Sequence, residues 1–237
     1  MELSVGSRTV LPLRAWRALQ QKGPRYAWHK MLRRTLSRWP DWKRRWLYAN
    51  PQSYWTLRGG EDYFREQEGQ IGRTLRAEWI ADRIASYSPK SVLEVGCGYG
   101  KLLKAIRQRT DCPLTGVDFS SSQLERGRAY LAGYTGITPL LSSGVDLPFP
   151  DNSFDLVVTS AVILHNPPAE AERIRNEILR VGRRFAAHNE EMGFSYNRYG
   201  YDTAAWYRGR GFPLMECGPI PMDLDPATSQ FCVARLD

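Results

Sequence analysis

The stretch Ser91–Gly100, SVLEVGCGYG, decides the fold of this chain. Its first five residues, Ser91–Val95, are rich in branched apolar side chains and predict a short buried β-strand. Three glycines at alternate positions follow, and the residues from Lys101 onward have the apolar spacing of a helix. Glycine lets the backbone adopt positive φ and approach a ligand closely, while a helix N-terminus presents free N–H groups to anions. We therefore expect a ligand-binding turn between the first strand and the first helix.

Two phosphate-binding patterns do not fit this turn. A P-loop ending in Gly100-Lys101 would place its first glycine at Val95 and its hydroxyl residue at Leu102. A dinucleotide-binding fingerprint would need its last glycine at position 101, which is a lysine. The pattern present is a glycine at positions 96, 98 and 100, with the acid Glu94 two residues before the first glycine.

Outward from this turn, apolar runs alternate with helical patterns, which predicts βαβ crossovers and a parallel sheet with helices on both faces. The last two predicted strands, Pro213–Gly218 and Ser229–Arg235, have no helix between them, so a closing antiparallel pair is expected. The other predicted strands are Pro113–Asp118, Thr138–Leu141, Phe154–Thr159 and Arg184–His188, and the predicted helices are Lys101–Arg109, Gln123–Ala132, Ala169–Leu179 and Asp202–Arg210.

The beginning of the chain has a different composition from the remainder. Residues 1–50 hold 12 of the 33 lysines and arginines but only two of the 25 acids, although the whole chain has a net charge of +8. Six of the eight tryptophans lie before residue 60. We therefore predict a basic, tryptophan-rich helical segment over residues 1–60 and an α/β domain over residues 61–237.

The range Arg25–Trp39 has the spacing of an amphipathic helix. Such a helix can lie in the interface of an anionic membrane, and residues 25–46 are the candidate surface. A helix packed on the domain with a solvated basic face is an equally good interpretation. Nucleic-acid binding is disfavoured because the body of the chain is not basic. The apolar sector contains Trp28, Met31, Leu32, Thr35, Leu36 and Trp39, and the polar sector contains His29, Lys30, Arg33, Arg34 and Arg38.

Composition also bears on compartment and metal content. The sequence has no apolar run of about 18 residues that would span a bilayer, and its start lacks the apolar core of a secretory signal. The four cysteines are scattered without the C-x-x-C spacing of a zinc site. We expect a cytoplasmic protein, peripheral on the inner face of the membrane if the basic helix binds lipid, and we expect no metal site.

Four motifs in this order resemble the class I S-adenosylmethionine (SAM)-dependent methyltransferases, in particular their UbiE-like methyltransferase-domain branch. They are VLEVGCGYGKLL from residue 92, GVDFS from residue 116, DLPFPDNSFDLVV from residue 146 and AVILHNP from residue 161. The resemblance implies a Rossmann-like seven-stranded sheet with helices on both faces and a terminal antiparallel strand pair. It also implies SAM as the cofactor and methyl transfer as the reaction. The segment Tyr54–Glu68 resembles methyltransferases found with bacterial surface-polysaccharide synthesis.

The resemblance implies roles for the residues of the glycine turn. The backbone of Gly96, Cys97, Gly98 and Gly100 would pass under the methionine part of SAM. Glu94 would order this loop and reach the cofactor amino group through water. A purely structural role at the end of the strand is the alternative for Glu94.

The resemblance also implies how the nucleoside is held. Asp118, at the end of the second strand, would accept both ribose hydroxyls, and Phe119 would lie against the adenine. Ser143 and Gly144 stand where the family usually has an acid before a small residue, so a backbone or hydroxyl contact to adenine is expected there. Helix capping by Asp118 and core packing by Phe119 are the alternatives.

His165 and His188 are predicted just beyond the carboxyl ends of strands, where open α/β sheets bind ligands. A neutral imidazole at either position would deprotonate a substrate hydroxyl during methyl transfer. Glu190 and Glu191 are further candidates for the base, although a surface loop is the expected place for both. The acceptor predicted first is a hydroxyl of a sugar or lipid-linked glycan. The alternatives are a small metabolite or quinone-like lipid, or a non-catalytic SAM-fold subunit that binds a partner.

Overall fold

The structure, a computed structural model, describes residues 23–32, 40–59, 61–221 and 229–237. Its contacts divide the chain into two compact units, Met1–Arg58 and Gly59–Asp237. The composition predicts a boundary two residues further along. In the described part of the chain, no helix is long and apolar enough to cross a membrane.

The first unit contains α1 (residues 23–32), α2 (Pro40–Leu47) and α3 (Pro51–Arg58). Its core is aromatic, since the Tyr54 ring packs edge-on against Tyr48 at 4.9 Å and against His29 at 5.1 Å between centroids. His29, which the helical spacing assigns to the polar sector, is buried, and its ring packs against Tyr54. The second half of the predicted amphipathic helix, residues 33–39, lies outside the described residues.

The second unit is an α/β domain, and its elements follow in chain order. They are α4 (Glu61–Glu68), α5 (Ile71–Ser86), β1 (Val92–Val95), α6 (Lys101–Arg107), β2 (Leu114–Asp118), α7 (Ser121–Tyr130), β3 (Ile137–Leu141), β4 (Phe154–Ser160), a 3₁₀ turn (Ile163–His165), α8 (Pro168–Val181), β5 (Gly182–Glu191), α9 (Thr203–Arg208), β6 (Leu214–Pro219) and β7 (Ser229–Arg235).

The strands form one seven-stranded sheet in the order β3-β2-β1-β4-β5-β7-β6. Neighbouring strands from β3 to β5 are parallel, whereas β7 runs antiparallel to both β5 and β6. The predicted fold class, a seven-stranded sheet with a closing antiparallel pair, is confirmed.

Alternate residues of the strands face two separate helical layers, as the period of two along a strand requires. Val92 lies in a core cluster with residues of α5 and α6, including Ile80 and Leu103. Its neighbour Leu93 faces the opposite layer and clusters with residues of α8 such as Ile178. Because both faces are covered, the central strands are apolar throughout, which explains why the sequence shows runs rather than alternation.

The strand β5 is longer than the sequence predicts. We expected it to end at His188, but it continues to Glu191 because β7 pairs with it as far as Glu191 opposite Ser229. The expectation that Glu190 and Glu191 lie in a surface loop is therefore wrong, since both are buried strand residues. In a sequence, charged residues that follow an apolar strand are typical of a loop. Only the pairing with β7 shows that Glu190 and Glu191 belong to the strand.

Candidate active site

The candidate site lies where the carboxyl ends of the parallel strands meet. The strand order reverses at β1, which has β2 on one side and β4 on the other. Open α/β sheets bind their ligands at such a reversal, just beyond the strand ends. The glycine turn after β1, Asp118 at the end of β2 and the 3₁₀ turn after β4 all lie at this edge.

The glycine turn has backbone conformations that favour glycine. Gly96, Gly98 and Gly100 have φ values of 74°, 56° and 89°. A Cβ atom on Gly96 would collide with the side chain of Val162, which precedes the 3₁₀ turn after β4. The absence of a side chain at Gly96 therefore brings the turns after β1 and β4 into direct contact.

Asp118 holds the glycine turn through its carboxylate. Its Oδ2 atom accepts a hydrogen bond from the Gly98 amide at 2.8 Å, and its Oδ1 atom accepts one from the Ser120 amide at 2.8 Å. Burial raises the pKa of Asp118, although the amides of Ser120 and Gly98 act in the opposite direction. Each carboxylate oxygen has two acceptor positions, so Asp118 retains capacity for two further donors such as ribose hydroxyls.

Glu94 is buried on β1, and its Oε2 atom has no hydrogen-bond partner among the described residues. Burial raises the pKa of Glu94 well above its ordinary value, and the Asp118 carboxylate adds to this effect. An unpartnered buried carboxylate oxygen is costly by itself and would be satisfied by a cationic ligand group. The position of Glu94 therefore fits an ammonium group at this edge of the sheet.

Gln123 is a site residue that the sequence analysis missed. It lies in the first turn of α7, and its side-chain nitrogen is 3.8 Å from the position of a Cβ atom on Gly98. Its Oε1 atom is buried and has no hydrogen-bond partner in the described part of the chain. The only signal in the sequence was its place just after the strand that ends in Asp118, which is weak for an ordinary helix residue.

The remaining predicted cofactor residues fall into two groups. Phe119 is half-buried just after β2, and Ser143 and Gly144 lie in the loop after β3. A Cβ atom on Gly144 would lie only 2.9 Å from the Val95 side chain, so this loop packs closely on the end of β1. The Cys97 side chain is buried instead in the core cluster beneath the sheet, which leaves only its backbone for a ligand.

The helix α4 contacts the glycine turn through aromatic rings. Phe64 packs edge-on against Tyr99 at 4.9 Å and against Tyr130 at 5.6 Å between ring centroids. The guanidinium of Arg126 lies 3.9 Å from the centre of the Phe64 ring on α4. In the sequence, Phe64 is one aromatic residue within a charged segment, and no pattern distinguishes it.

His165 ends the 3₁₀ turn after β4 and is half-buried. Its Nδ1 atom lies 2.6 Å from the carbonyl oxygen of Asn197. A carbonyl can only accept, so Nδ1 carries the proton and Nε2 carries the lone pair of the neutral imidazole. This is the tautomer in which Nε2 can act as a base.

His188 has a different environment, inside the sheet. Its ring is fully buried, with Nδ1 at 2.8 Å from Thr159 Oγ1 and Nε2 at 2.7 Å from Tyr207 Oη. Burial, assisted by the positive charge of Arg175, lowers the pKa of His188 to about 3. Both ring nitrogens are occupied by core partners, so this geometry gives no support to the expectation that His188 is a general base.

No group of three or more histidine, cysteine, aspartate or glutamate side chains that could hold a metal ion occurs among the described residues. Of the carboxylates beside the glycine turn, Asp118 is bonded to backbone amides.

A sequence model of the family described as "methyltransferase domain" matches residues 92–184, from β1 into β5. Over these residues the chain is similar to a methyltransferase domain. The match begins at the first strand and includes the glycine turn, Asp118 and His165, so the predicted family is confirmed on the residues that carry the resemblance.

Curated relatives of the methyltransferase domain have several different acceptors in their names. Demethylmenaquinone methyltransferase of Symbiobacterium thermophilum is 39% identical over 119 residues, which are 46% of this chain and 47% of that protein. The O-methyltransferase rstn1 of Aspergillus nomiae is 29% identical over 47% of this chain and 49% of its own length. A probable tocopherol O-methyltransferase of Oryza sativa is 32% identical over 51% of this chain and 33% of its own length. The matches thus span about half, or less, of these relatives.

Solved structures share the fold of the methyltransferase domain at low sequence identity. Magnesium protoporphyrin IX methyltransferase from Synechocystis PCC 6803, with bound S-adenosylhomocysteine (SAH), has a TM-score of 0.61 at 16% identity and covers 74% of this chain and 93% of its own. The [4+2]-cyclase SpnF has a TM-score of 0.54 at 16% identity, covering 67% of this chain and 80% of its own. Since one of these proteins is named as a cyclase, the reaction has to be argued from the site.

Proposed function

We propose that this chain transfers a methyl group from SAM to a hydroxyl group of its acceptor. The observation that carries the proposal is the contact between the turn after β1 and the turn after β4. The Asp118 carboxylate holds the first turn through the Gly98 amide, and the second turn ends in His165. A cofactor site and a base then share one edge of the sheet.

The residues at this edge suit the parts of SAM. Asp118 would accept the ribose hydroxyls, and the backbone around Gly98 would lie along the methionine part. Glu94, whose Oε2 atom lacks a donor among the described residues, would receive the positive amino group. When bound, SAM supplies a methyl group that is already activated on a sulfonium sulfur.

Because the methyl group is activated, the protein mainly has to align the acceptor and remove its proton. An alcohol acceptor loses a proton as the methyl group arrives, and the lone pair on His165 Nε2 can take it. The Asn197 carbonyl keeps the other ring proton on Nδ1 and so maintains the base in its active tautomer. A carbon or amine acceptor would place less demand on His165.

For the acceptor, we propose a hydroxyl of a sugar or lipid-linked glycan, with a quinone-like lipid as the main competitor. The resemblance of Tyr54–Glu68 to methyltransferases of polysaccharide synthesis supports the first. The names of relatives that act on demethylmenaquinone and tocopherol support the second.

The test is SAH release by the purified chain with SAM and matched acceptors. A lipid-linked sugar with a free hydroxyl should give SAH, and the same compound already methylated at that hydroxyl should not. His165→Ala should lower the kcat for a hydroxyl acceptor while leaving SAM affinity, measured by calorimetry, unchanged. SAM binding without SAH release from either acceptor class would favour the non-catalytic subunit instead.

We also propose that the first unit binds anionic membrane surfaces. Trp28, Trp42 and Trp46 are 59%, 58% and 64% exposed, and the last two lie one turn apart on the same side of α2. Residues 1–50 combine these rings with 12 basic and only two acidic residues. Exposed tryptophan beside excess positive charge is the pattern of an interfacial segment, since the rings insert and the cations attract anionic head groups.

Co-sedimentation of the full chain with vesicles tests this surface. Vesicles that contain phosphatidylglycerol should bind the chain, those of phosphatidylcholine alone should bind it weakly, and salt should weaken the binding. Replacing both Trp42 and Trp46 by serine should weaken binding about tenfold or more, because burying one large apolar side chain contributes about 1.5–3 kcal/mol. The control is Ile71→Ser, which removes a 75% exposed apolar side chain from the second unit. Equal binding to both vesicle types would contradict the proposal.

A further inference from the structure

Four buried polar side chains on β4, β5 and α9 form one hydrogen-bonded chain. Tyr207 Oη lies 2.7 Å from His188 Nε2, and His188 Nδ1 lies 2.8 Å from Thr159 Oγ1. Thr159 Oγ1 in turn lies 2.8 Å from Glu190 Oε1. None of the four residues is more than 2% exposed, so water does not compete for these hydrogen bonds.

The chemistry of these groups gives the chain one direction. The Glu190 carboxylate only accepts, so the single hydroxyl proton of Thr159 is donated to Glu190. Thr159 must then accept from His188, which places the imidazole proton on Nδ1. His188 Nε2 is left to accept from the hydroxyl of Tyr207. Each of the three protons in this chain of hydrogen bonds thus has an acceptor, with His188 neutral.

Glu190, at the end of this chain, holds the turn that follows β4. Its Oε1 atom also accepts from the amides of Val162 at 3.1 Å and Ile163 at 3.2 Å, and its Oε2 atom accepts from the Leu164 amide at 3.1 Å. These three consecutive amides begin the turn that ends in His165. One carboxylate therefore satisfies the free N–H groups at the start of this turn, as a capping side chain does.

We propose that Tyr207, His188, Thr159 and Glu190 form a positioning network that holds the turn after β4, and His165 with it, in the orientation that the reaction needs. The role of His165 rests on the proposed function, whereas the order of the turn does not. His188 touches no reacting atom in this arrangement. In its single tautomer, His188 accepts from Tyr207 of α9 and donates to Thr159, so it links α9 to Thr159.

Glu190→Gln is the direct test, carried out on the full chain. The amide that replaces the carboxylate has one accepting oxygen, so it can keep the donors on Oε1 but must turn an N–H group toward the Leu164 amide. Hydrogen exchange at the amides of residues 162–164 should become about tenfold faster or more, because local opening becomes easier. The ¹⁵N shifts of the His165 ring should change as its contact with Asn197 loosens.

A pair of variants separates the hydrogen bond from the packing of the same side chain. Thr159→Val removes the hydroxyl at nearly constant volume and should accelerate exchange in the turn, as Glu190→Gln does. Thr159→Ser keeps the hydroxyl and should restore slow exchange. The matched control is Asp155→Asn, since Asp155 is a buried carboxylate that accepts from the Lys90 amide at 2.8 Å near the start of β4, at the opposite edge of the sheet. It should lower stability without changing the turn.

These measurements use the protein alone, so they remain decisive if the proposed reaction fails. Unchanged exchange at residues 162–164 and unchanged His165 shifts in Glu190→Gln would overturn the network. If the network is intact but the wild-type chain releases no SAH, the proposed function fails and the network stands. With an active chain, Glu190→Gln should lower kcat more than it raises KM for the acceptor.

Discussion

At the scale of single residues, the two carboxylates at neighbouring strand ends differ in how many of their oxygens accept hydrogen bonds. Asp118 accepts two backbone amides, whereas Glu94 has an oxygen with no donor among the described residues. A buried carboxylate oxygen without a donor costs stability that a hydrogen-bonded oxygen does not. We infer that the loss of stability at Glu94 is offset when a bound ligand donates a hydrogen bond to its Oε2 atom.

The first residue-scale prediction concerns Asp118. Asp118→Ala should weaken SAM binding at least about tenfold, since hydrogen bonds to a charged group contribute about 1.5–3 kcal/mol. Isothermal calorimetry measures the affinity, and the fully exposed Asp111→Ala is the control. Unchanged SAM affinity in Asp118→Ala would remove Asp118 from the cofactor site.

The second residue-scale prediction concerns Glu94 and pH. Because the pKa of Glu94 is raised in the folded state, the protein loses stability as pH rises above its ordinary value of 4.5 toward the folded value. Glu94→Gln lacks this ionisation, so its thermal midpoint should exceed that of the wild type at pH 7, by a margin that shrinks toward pH 4.5. The same variant should bind SAM more weakly. Exposed Glu125→Gln should show neither effect, and a destabilised Glu94→Gln at pH 7 would contradict the argument.

At the scale of elements, the turns after β1 and β4 depend on each other. Val162 occupies the space that a side chain on Gly96 would need, while Glu190 on β5 holds Val162 by its amide. The contact between Gly96 and Val162 therefore joins the proposed cofactor side of the site to its proposed acceptor side. A substitution in one turn should therefore alter the conformation of the other turn as well.

Two glycine variants test this contact. Gly98→Ala should destabilise the fold only by the cost of a positive φ, about 1–2 kcal/mol, because no atom of the described residues lies closer than 3.8 Å to its new Cβ atom. Gly96→Ala should cost more, since its Cβ atom also collides with Val162. Adding Val162→Ala should recover the extra loss but not the part due to φ. Urea unfolding gives the free energies, and equal losses for the two glycine variants would refute the contact.

At the scale of the whole molecule, the two units have separate cores and different charge. The first unit packs around Tyr54 in a basic segment, and the second packs around its sheet. The network proposed for His165, the glycine turn and the carboxylates all belong to the second unit. Membrane binding, if the exposed tryptophans cause it, belongs to the first.

A chain beginning at Gly59 should therefore keep SAM binding and lose vesicle binding. Calorimetry and co-sedimentation check the two properties on the same preparation. Its thermal midpoint should stay within a few degrees of the full chain, since the core clusters of the second unit contain, among the described residues, only residues of that unit. A large fall in midpoint would instead favour a first unit that serves as a packed structural part.

Methyl transfer should also be independent of divalent metal. The described residues offer no metal-binding cluster, and the proposed chemistry needs only an aligned acceptor and a base. SAH release should be unchanged by EDTA. Loss of activity with EDTA and recovery with Mg²⁺ would show that this account of the site is incomplete.

The fold was predictable because its signals are local. Strand and helix patterns depend on residues within one element. The alternation of strands and helices around Ser91–Gly100 is compatible with only a few sheet topologies. The glycine turn and Asp118 were predictable for the same reason, as both are adjacent in sequence to the strands that position them. Their roles in SAM binding, by contrast, came from the resemblance and stay predictions for calorimetry to check.

The sequence by itself determined the α/β class, the closing antiparallel pair and the edge of the sheet where the candidate site is proposed. Only the tertiary structure distinguished His165 from His188, which both follow a predicted strand end. The physical reason is that the partners of a side chain come from distant segments. Thr159 and Tyr207 enclose His188, Asn197 sets the tautomer of His165, and pairing with β7 converts Glu190 from a loop residue into a buried cap.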